Sequence, residues 1–435
     1  MTELARRLTT ADAVVVGLAS MIGAGVFAAF APAARAVLPT GTGAALLLAL
    51  AVAAVVAYGN ATSSAQLAAQ YPTSGGTYVY GRERLGPWWG YMAGWGFVVG
   101  KTASCAAMAL TFAAYAAPAG WERAVAALAV VALAAVNYRG VTRTARLARW
   151  VVALVLLALA VWTAVAWGGS SVEPVATSVE PVETTNGVST LRPAQGGAGS
   201  TGEVVYSVLQ AAGLLFFAFA GYARVATLGE EVRDPRRAIP RAIVGALGGA
   251  VVVYAVVAVT LLAALGLDGT AATTTPLADA VDGSPWAGVV VRVGAAAASL
   301  GALLALVAGV GRTTLAMARE GDLPRWLSAV HPRFLVPHRA EVAVAAVVVA
   351  LVLTVDLRGA IAFSSFGVLV YYAVANASAW TQTGEHRRYP RWLQALGLAG
   401  CAVLVVTLPP GAVLTGLGVF AVGLLVRLVR LRPRT

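Results

Sequence analysis

Apolar runs of about twenty residues recur along the whole chain, each long enough for a helix to cross a hydrocarbon core of roughly 30 Å. Charges seldom interrupt them: 59% of the 435 residues are hydrophobic and 11% are charged, with a mean hydropathy of +0.78. A soluble domain carries roughly 25% charged residues. Backbone polar groups facing lipid must be satisfied within a helix or a closed barrel. Runs of this length therefore predict an all-α polytopic membrane protein. Reading apolar runs between polar loops gives twelve spans: 11–37, 41–68, 87–117, 121–138, 147–168, 203–228, 240–266, 285–311, 340–356, 359–382, 392–408 and 411–430. Arg6, Arg7 and the later "APAARA" imitate a secretory signal, but the first run is too long for an h-region and carries glycines at its centre.

The net charge of +12 does not point to nucleic acid, because the arginines cluster in alternate loops. Arg139, Arg143, Arg146 and Arg149 form one cluster, and Arg233, Arg236, Arg237 and Arg241 a second. Arg387, Arg388 and Arg391 make a third, and Arg427, Arg430, Arg432 and Arg434 close the chain. The intervening loops hold only Arg35, Arg123, Arg192, Arg292 and Arg358. This positive-inside asymmetry places both termini in the cytoplasm and the protein in the cytoplasmic membrane. Cys105 and Cys401 fall inside apolar spans, and His331, His338 and His386 fall in loops. No His/Cys/carboxylate constellation suggests a metal, a cofactor or catalysis, so the expectation is not an enzyme. Nothing in the sequence sets an oligomeric state.

The first span interrupts itself. In "SMIGAGVF" (Ser20 to Phe27), Gly23, Ala24 and Gly25 sit where the run should be most regular. Glycine within a helix costs roughly 1 kcal/mol relative to alanine, and irregular backbone at membrane depth is tolerated only against a cavity or buried in protein. Unwinding here would turn amides of Gly23, Ala24 and Gly25 toward an anion and leave carbonyls near Met21 and Ile22 for a cation. A helix-packing face of small residues is the structural alternative. Span six carries a matching interruption in "LLFFAFAGYARVATLGEE", where Phe217, Ala218, Phe219, Ala220 and Gly221 would supply a second set of backbone groups. Between the two lies a Ser-, Thr-, Pro-, Gly- and Glu-rich external segment, 169–202, in which "SVEPV" occurs twice and which reads as a solvated tether. The organisation expected is a first five-helix repeat (1–168), the tether, a second repeat of opposite orientation (203–382), and two further helices with a basic tail (383–435).

These stretches resemble a known family. "SMIGAGVF", "FFAFAGYARVATLGEEVRDPRRAIPRAI" (Phe216 to Ile243) and "AMAREGDLP" (Ala316 to Pro324) are similar to motifs of the amino acid–polyamine–organocation (APC) superfamily. Bacterial amino acid permeases related to cationic amino acid transporters are the nearest group. The resemblance covers nearly the whole chain. It implies a LeuT-like 5+5 inverted repeat with helices 1 and 6 broken and two C-terminal helices added. It also implies that the amides of Gly23, Ala24 and Gly25 hold a substrate carboxylate, while the carbonyls of Met21, Phe217 and Ala220 take its amine. One departure bears on substrate: where some relatives that move cations carry an acid, two positions after the span-six glycine, this chain has Ala223.

Two cations lie within spans instead. Lys101, the sole lysine, stands midway along span three in "GWGFVVGKTASCAAM", at an insertion cost of roughly 2.5–3.5 kcal/mol. It is the coupling candidate, either replacing a coupling ion or titrating with transport, or else a structural lysine on carbonyls. Some sodium-independent relatives use a lysine this way on span five, which here has none. Arg224 follows the span-six break, and Glu230 and Glu231 are its expected partners. Phe217, Phe219 and Arg224 are the gate candidates. With Lys101 near the path, neutral amino acids are expected to be favoured over cationic ones. The leading expectation is a secondary active transporter, a proton symporter or an antiporter, working by alternating access on a small-molecule amino acid in the lipid bilayer. The alternatives are an amino-acid sensor without transport, a carrier of polyamines or other organic amines, and a membrane enzyme acting on lipid.

Overall fold

The computed structural model describes residues 8–72, 75–140, 144–168, 200–226 and 232–431. Within them the chain is helical, and the one bridge between extended residues pairs Leu8 with Val232. The first span is three pieces: α1 (Thr10–Ile22), α2 (Ala24–Ala28) and α3 (Phe30–Val37). Then come α4 (Gly43–Gln70), α5 (Thr77–Leu85), α6 (Pro87–Ala116), α7 (Glu122–Tyr138) and α8 (Thr144–Gly168). The sixth span is α9 (Thr201–Phe219), a 3-10 turn over Ala220–Tyr222, and α10 (Ala223–Ala226). It is followed by α11 (Pro235–Ala272), α12 (Pro276–Asp279), α13 (Pro285–Arg319), α14 (His338–Thr354), α15 (Leu357–Trp380), α16 (Arg391–Thr407) and α17 (Pro410–Leu431).

Nine helical segments among the described residues are long and apolar enough to cross a bilayer. The three other expected spans are α7, α14 and α16, each of 17 residues, at the short end of the range for a crossing. Elsewhere the sequence boundaries move outward. Expected span eight, 285–311, extends two turns further to Arg319 as α13, and expected span seven begins earlier, at Pro235. α11 keeps Pro240 near its start and bends at Gly266, whose φ of 67° lies in the left-handed region that glycine reaches without a Cβ penalty. The short α5 falls in an expected loop. The tether 169–202 lies outside the described residues except for its last three, where Ser200 caps α9.

Both interrupted spans start from a capping box. Thr9 accepts from the Asp12 amide while the Asp12 carboxylate accepts from the Thr9 amide, and Ser200 and Glu203 do the same for α9. α1 packs against α11, α8 and the turn of the sixth span, and α2 against α6, α9 and α13, so both interrupted spans lie in the packed interior. α6 and α15 form the other wall and approach each other through glycine. Gly96 and Gly100, spaced as in GxxxG, face Gly367: a Cβ on Gly100 would stand 3.1 Å from the Gly367 Cα. The Ser104 and Ser364 hydroxyls meet across this seam at 2.6 Å. That close approach aims the next residue of α6, Lys101, at the break in the sixth span.

Candidate functional site

The two breaks touch each other. Gly23 departs from helical torsions (φ −49°, ψ −136°), and helix resumes at Ala24. Against it lies the turn Ala220–Tyr222, where a Cβ on Gly221 would stand 2.2 Å from the Ser20 carbonyl oxygen and 2.6 Å from the Met21 nitrogen. A Cβ on Gly25 would stand 2.7 Å from the Ala218 Cα. Cβ atoms do not approach backbone this closely, so Gly25 and Gly221 are glycine because two main chains meet there. The packing role that the sequence offers as an alternative is the one these two glycines fill. Gly23 faces a side chain first, the Ala302 methyl of α13, 2.9 Å from where its own Cβ would be, with the Ala19 carbonyl oxygen at 3.3 Å.

Breaking a helix frees carbonyls, and those of Met21, Phe217, Ala218 and Ala220 each meet a donor. The Tyr254 hydroxyl of α11 lies 2.6 Å from the Met21 carbonyl oxygen and 2.9 Å from that of Ala218, placed to donate to either. The Ala220 amide donates to the Phe217 carbonyl as α9 tightens into the 3-10 turn. Lys101 Nζ donates to the Ala220 carbonyl at 3.0 Å, and the Tyr372 hydroxyl of α15 donates to the same oxygen at 3.3 Å. Lys101 is 6% exposed. No carboxylate of the described residues lies within ion-pair distance of it.

Every residue named from the sequence for the two breaks lies at this junction. Met21, Ile22, Gly23, Ala24 and Gly25 are buried on one side, and Phe217, Ala218, Phe219 and Ala220 on the other, with Gly221 half-buried between them. Of the gate candidates, Phe219 is held in an aromatic cluster, its ring 5.0 Å from that of Tyr254 at 73°. Phe217 makes no ring contact among the described residues, which leaves it the freer of the two. Arg224 is half-buried in α10, beside Gly309 of α13. Its expected partners Glu230 and Glu231 lie outside the described residues.

Sequence reasoning missed Tyr254 and Tyr372, for a physical reason. One tyrosine in an apolar helix carries no mark of which carbonyl it will meet. It also missed a charged cluster where α5, α13 and α17 come together. Asp322, in "AMAREGDLP", accepts from the Tyr78 hydroxyl at 2.8 Å and pairs with Arg427 at 2.8 Å and Arg82 at 3.3 Å. Glu320 takes the other arm of Arg82 at 3.0 Å. The Arg427 guanidinium lies over the Trp88 and Tyr91 rings, 4.8 and 4.6 Å from their centroids. Burial, and then the bond to Asp322, push the Tyr78 hydroxyl above its ordinary pKa, so it stays a neutral donor. Trp88 and Trp89 are exposed at this end, as an interfacial belt requires. Among the described residues no group of His, Cys, Asp and Glu could hold a metal, and Cys105 and Cys401 are free and buried.

Residues 8–425 match the model of a family described as amino acid permease. The chain belongs to the amino acid permease family. An uncharacterized transporter of Mycobacterium tuberculosis (strain ATCC 25618 / H37Rv) is 57% identical over 423 residues, covering 97% of the permease and 90% of the relative. The human cationic amino acid transporter 4 is 27% identical over 386 residues, covering 87% of the permease and 60% of the relative. The vacuolar cationic amino acid transporter 4 of Arabidopsis thaliana is 28% identical over 393 residues, 85% of the permease and 62% of the relative. Family and apolar helices together make the permease a multi-pass membrane transporter.

Proposed function

We propose that the permease is a secondary active transporter that moves an amino acid across the cytoplasmic membrane by alternating access, in a LeuT-like 5+5 inverted-repeat fold with both termini in the cytoplasm. One observation carries the reading: two helices interrupted at mid-span meet break to break, and a buried lysine from a third helix reaches into the junction. Irregular backbone buried between helices is where transporters of this build hold solutes and coupling ions. With its ammonium on a freed carbonyl, Lys101 is the group read as replacing a coupling cation, which favours proton coupling or exchange over sodium. Its charge also opposes a cationic side chain, so neutral amino acids are favoured over arginine, lysine and polyamines.

The test is uptake by the purified permease in proteoliposomes, with a labelled amino-acid panel and with or without an imposed pH gradient. Flux is expected, which separates a transporter from a sensor. Lys101→Ala is expected to abolish the pH dependence of uptake. Wild-type pH dependence in that variant would remove Lys101 from coupling, and arginine outcompeting every neutral amino acid would overturn the selectivity.

A further inference from the structure

The acceptors that the family resemblance assigns to a substrate amine each already have a donor. The Met21 and Ala218 carbonyls share the Tyr254 hydroxyl, the Phe217 carbonyl receives the Ala220 amide, and the Ala220 carbonyl receives Lys101 and Tyr372. An incoming ammonium would have to share a carbonyl with a donor already there or stand beside Lys101 as a like charge.

The needs of Lys101 run the other way. An ammonium has three N–H donors, and the described residues supply this one with a single hydrogen-bond acceptor, the Ala220 carbonyl. The charge is buried with no carboxylate in ion-pair range among those residues. A buried charge is tolerated when paired and hydrogen-bonded. What the junction lacks is an anion, and the lysine already does what a substrate amine would do.

We infer that the ligand preferred at this junction is a carboxylate of net negative charge, either an acidic amino acid or the corresponding acid without its amine, with the Lys101 ammonium as its counter-ion. The inference rests on the transport reading above and extends its order of preference: anionic ahead of neutral, neutral ahead of cationic. Tyr254 and Tyr372 already donate to the neighbouring carbonyls, so a free α-amine is not required.

The test is ligand binding to the detergent-solubilised full chain, read as concentration-dependent thermal stabilisation at constant ionic strength, with glutamate, succinate, alanine, leucine and arginine. Glutamate and succinate are expected to bind at least about tenfold tighter than alanine or leucine, and arginine weakest. In Lys101→Met the ratio of glutamate to alanine affinity should fall to about one, and in Lys101→Arg it should persist. A ratio within one preparation is insensitive to the folded fraction, and the wild-type panel decides the matter alone if Lys101→Met does not fold. Alanine or leucine equalling glutamate in the wild type, or an acid preference surviving in Lys101→Met, would overturn the inference. The two readings fail separately: flux of neutral amino acids with no acid preference sinks this one only, whereas acid binding with no flux of any ligand sinks transport only.

Discussion

The two interrupted spans begin alike and break differently. Each starts from a capping box and runs apolar into the interior, but the first leaves helical torsions at the single residue Gly23, whereas the sixth winds tighter through Ala220–Tyr222. The freed groups are then served by donors of different kind. The Met21 carbonyl of the first break receives a neutral hydroxyl, and the Ala220 carbonyl of the sixth receives a charged ammonium. A gap in a helical ladder does not by itself define a binding site. What reaches the gap from elsewhere sets the charge that the place will accept, and here only the sixth span's break is charged.

The sharpest way to break that comparison is to add one methyl group to each break. Gly221→Ala puts a Cβ into the Ser20 and Met21 backbone, which cannot yield as a side chain can. It should cost more than about 3 kcal/mol, or leave no folded protein to purify. Gly23→Ala meets the Ala302 methyl most closely, with the nearest backbone atom, the Ala19 carbonyl oxygen, at 3.3 Å, and should cost less, about 1–3 kcal/mol. Gly245→Ala on α11, where the nearest atom would be 3.7 Å away, should leave the thermal midpoint unchanged or slightly raised. Equal losses at Gly221 and Gly23 would show that the two breaks are not distinguished by main-chain contact.

Removing the donors tests the same contrast at smaller scale. Tyr254→Phe strips the hydroxyl from two buried carbonyls at once and should cost roughly 1–3 kcal/mol in thermal or denaturant unfolding. Tyr372→Phe should cost less, on the order of 0.6 kcal/mol, the average of polar contacts between membrane helices, because Lys101 still serves the Ala220 carbonyl. The reverse order would mean that Tyr372, rather than the lysine, satisfies the sixth break.

Much of this was legible in the sequence. The apolar runs predict the helices, and both breaks fall where glycines interrupt a run. The capping boxes, Thr9 with Asp12 and Ser200 with Glu203, precede those spans in plain view. α5 was not legible, because "TYVYGRERL" is polar, has no apolar face in its pattern and reads as a loop. The role of Gly25 and Gly221 was legible only as a choice, since a glycine left bare for a ligand and one left bare for a second backbone look the same in one dimension. Asp322 sits in a motif that draws the eye, but its partners Arg82 and Arg427 come from helices far off in the chain.

Local chemistry settles partition into lipid, helix formation and the places where a helix is weak, because each depends on residues within a few turns of one another. Sequence alone therefore determined an all-α membrane protein with two damaged spans and one lysine out of place. Which donor meets which carbonyl was decided by tertiary structure, because Lys101 and Ala220 are separated by 119 positions and meet only through the glycine seam between α6 and α15. Hydrogen bonds act over about 3 Å of space, and distance along the chain does not encode that.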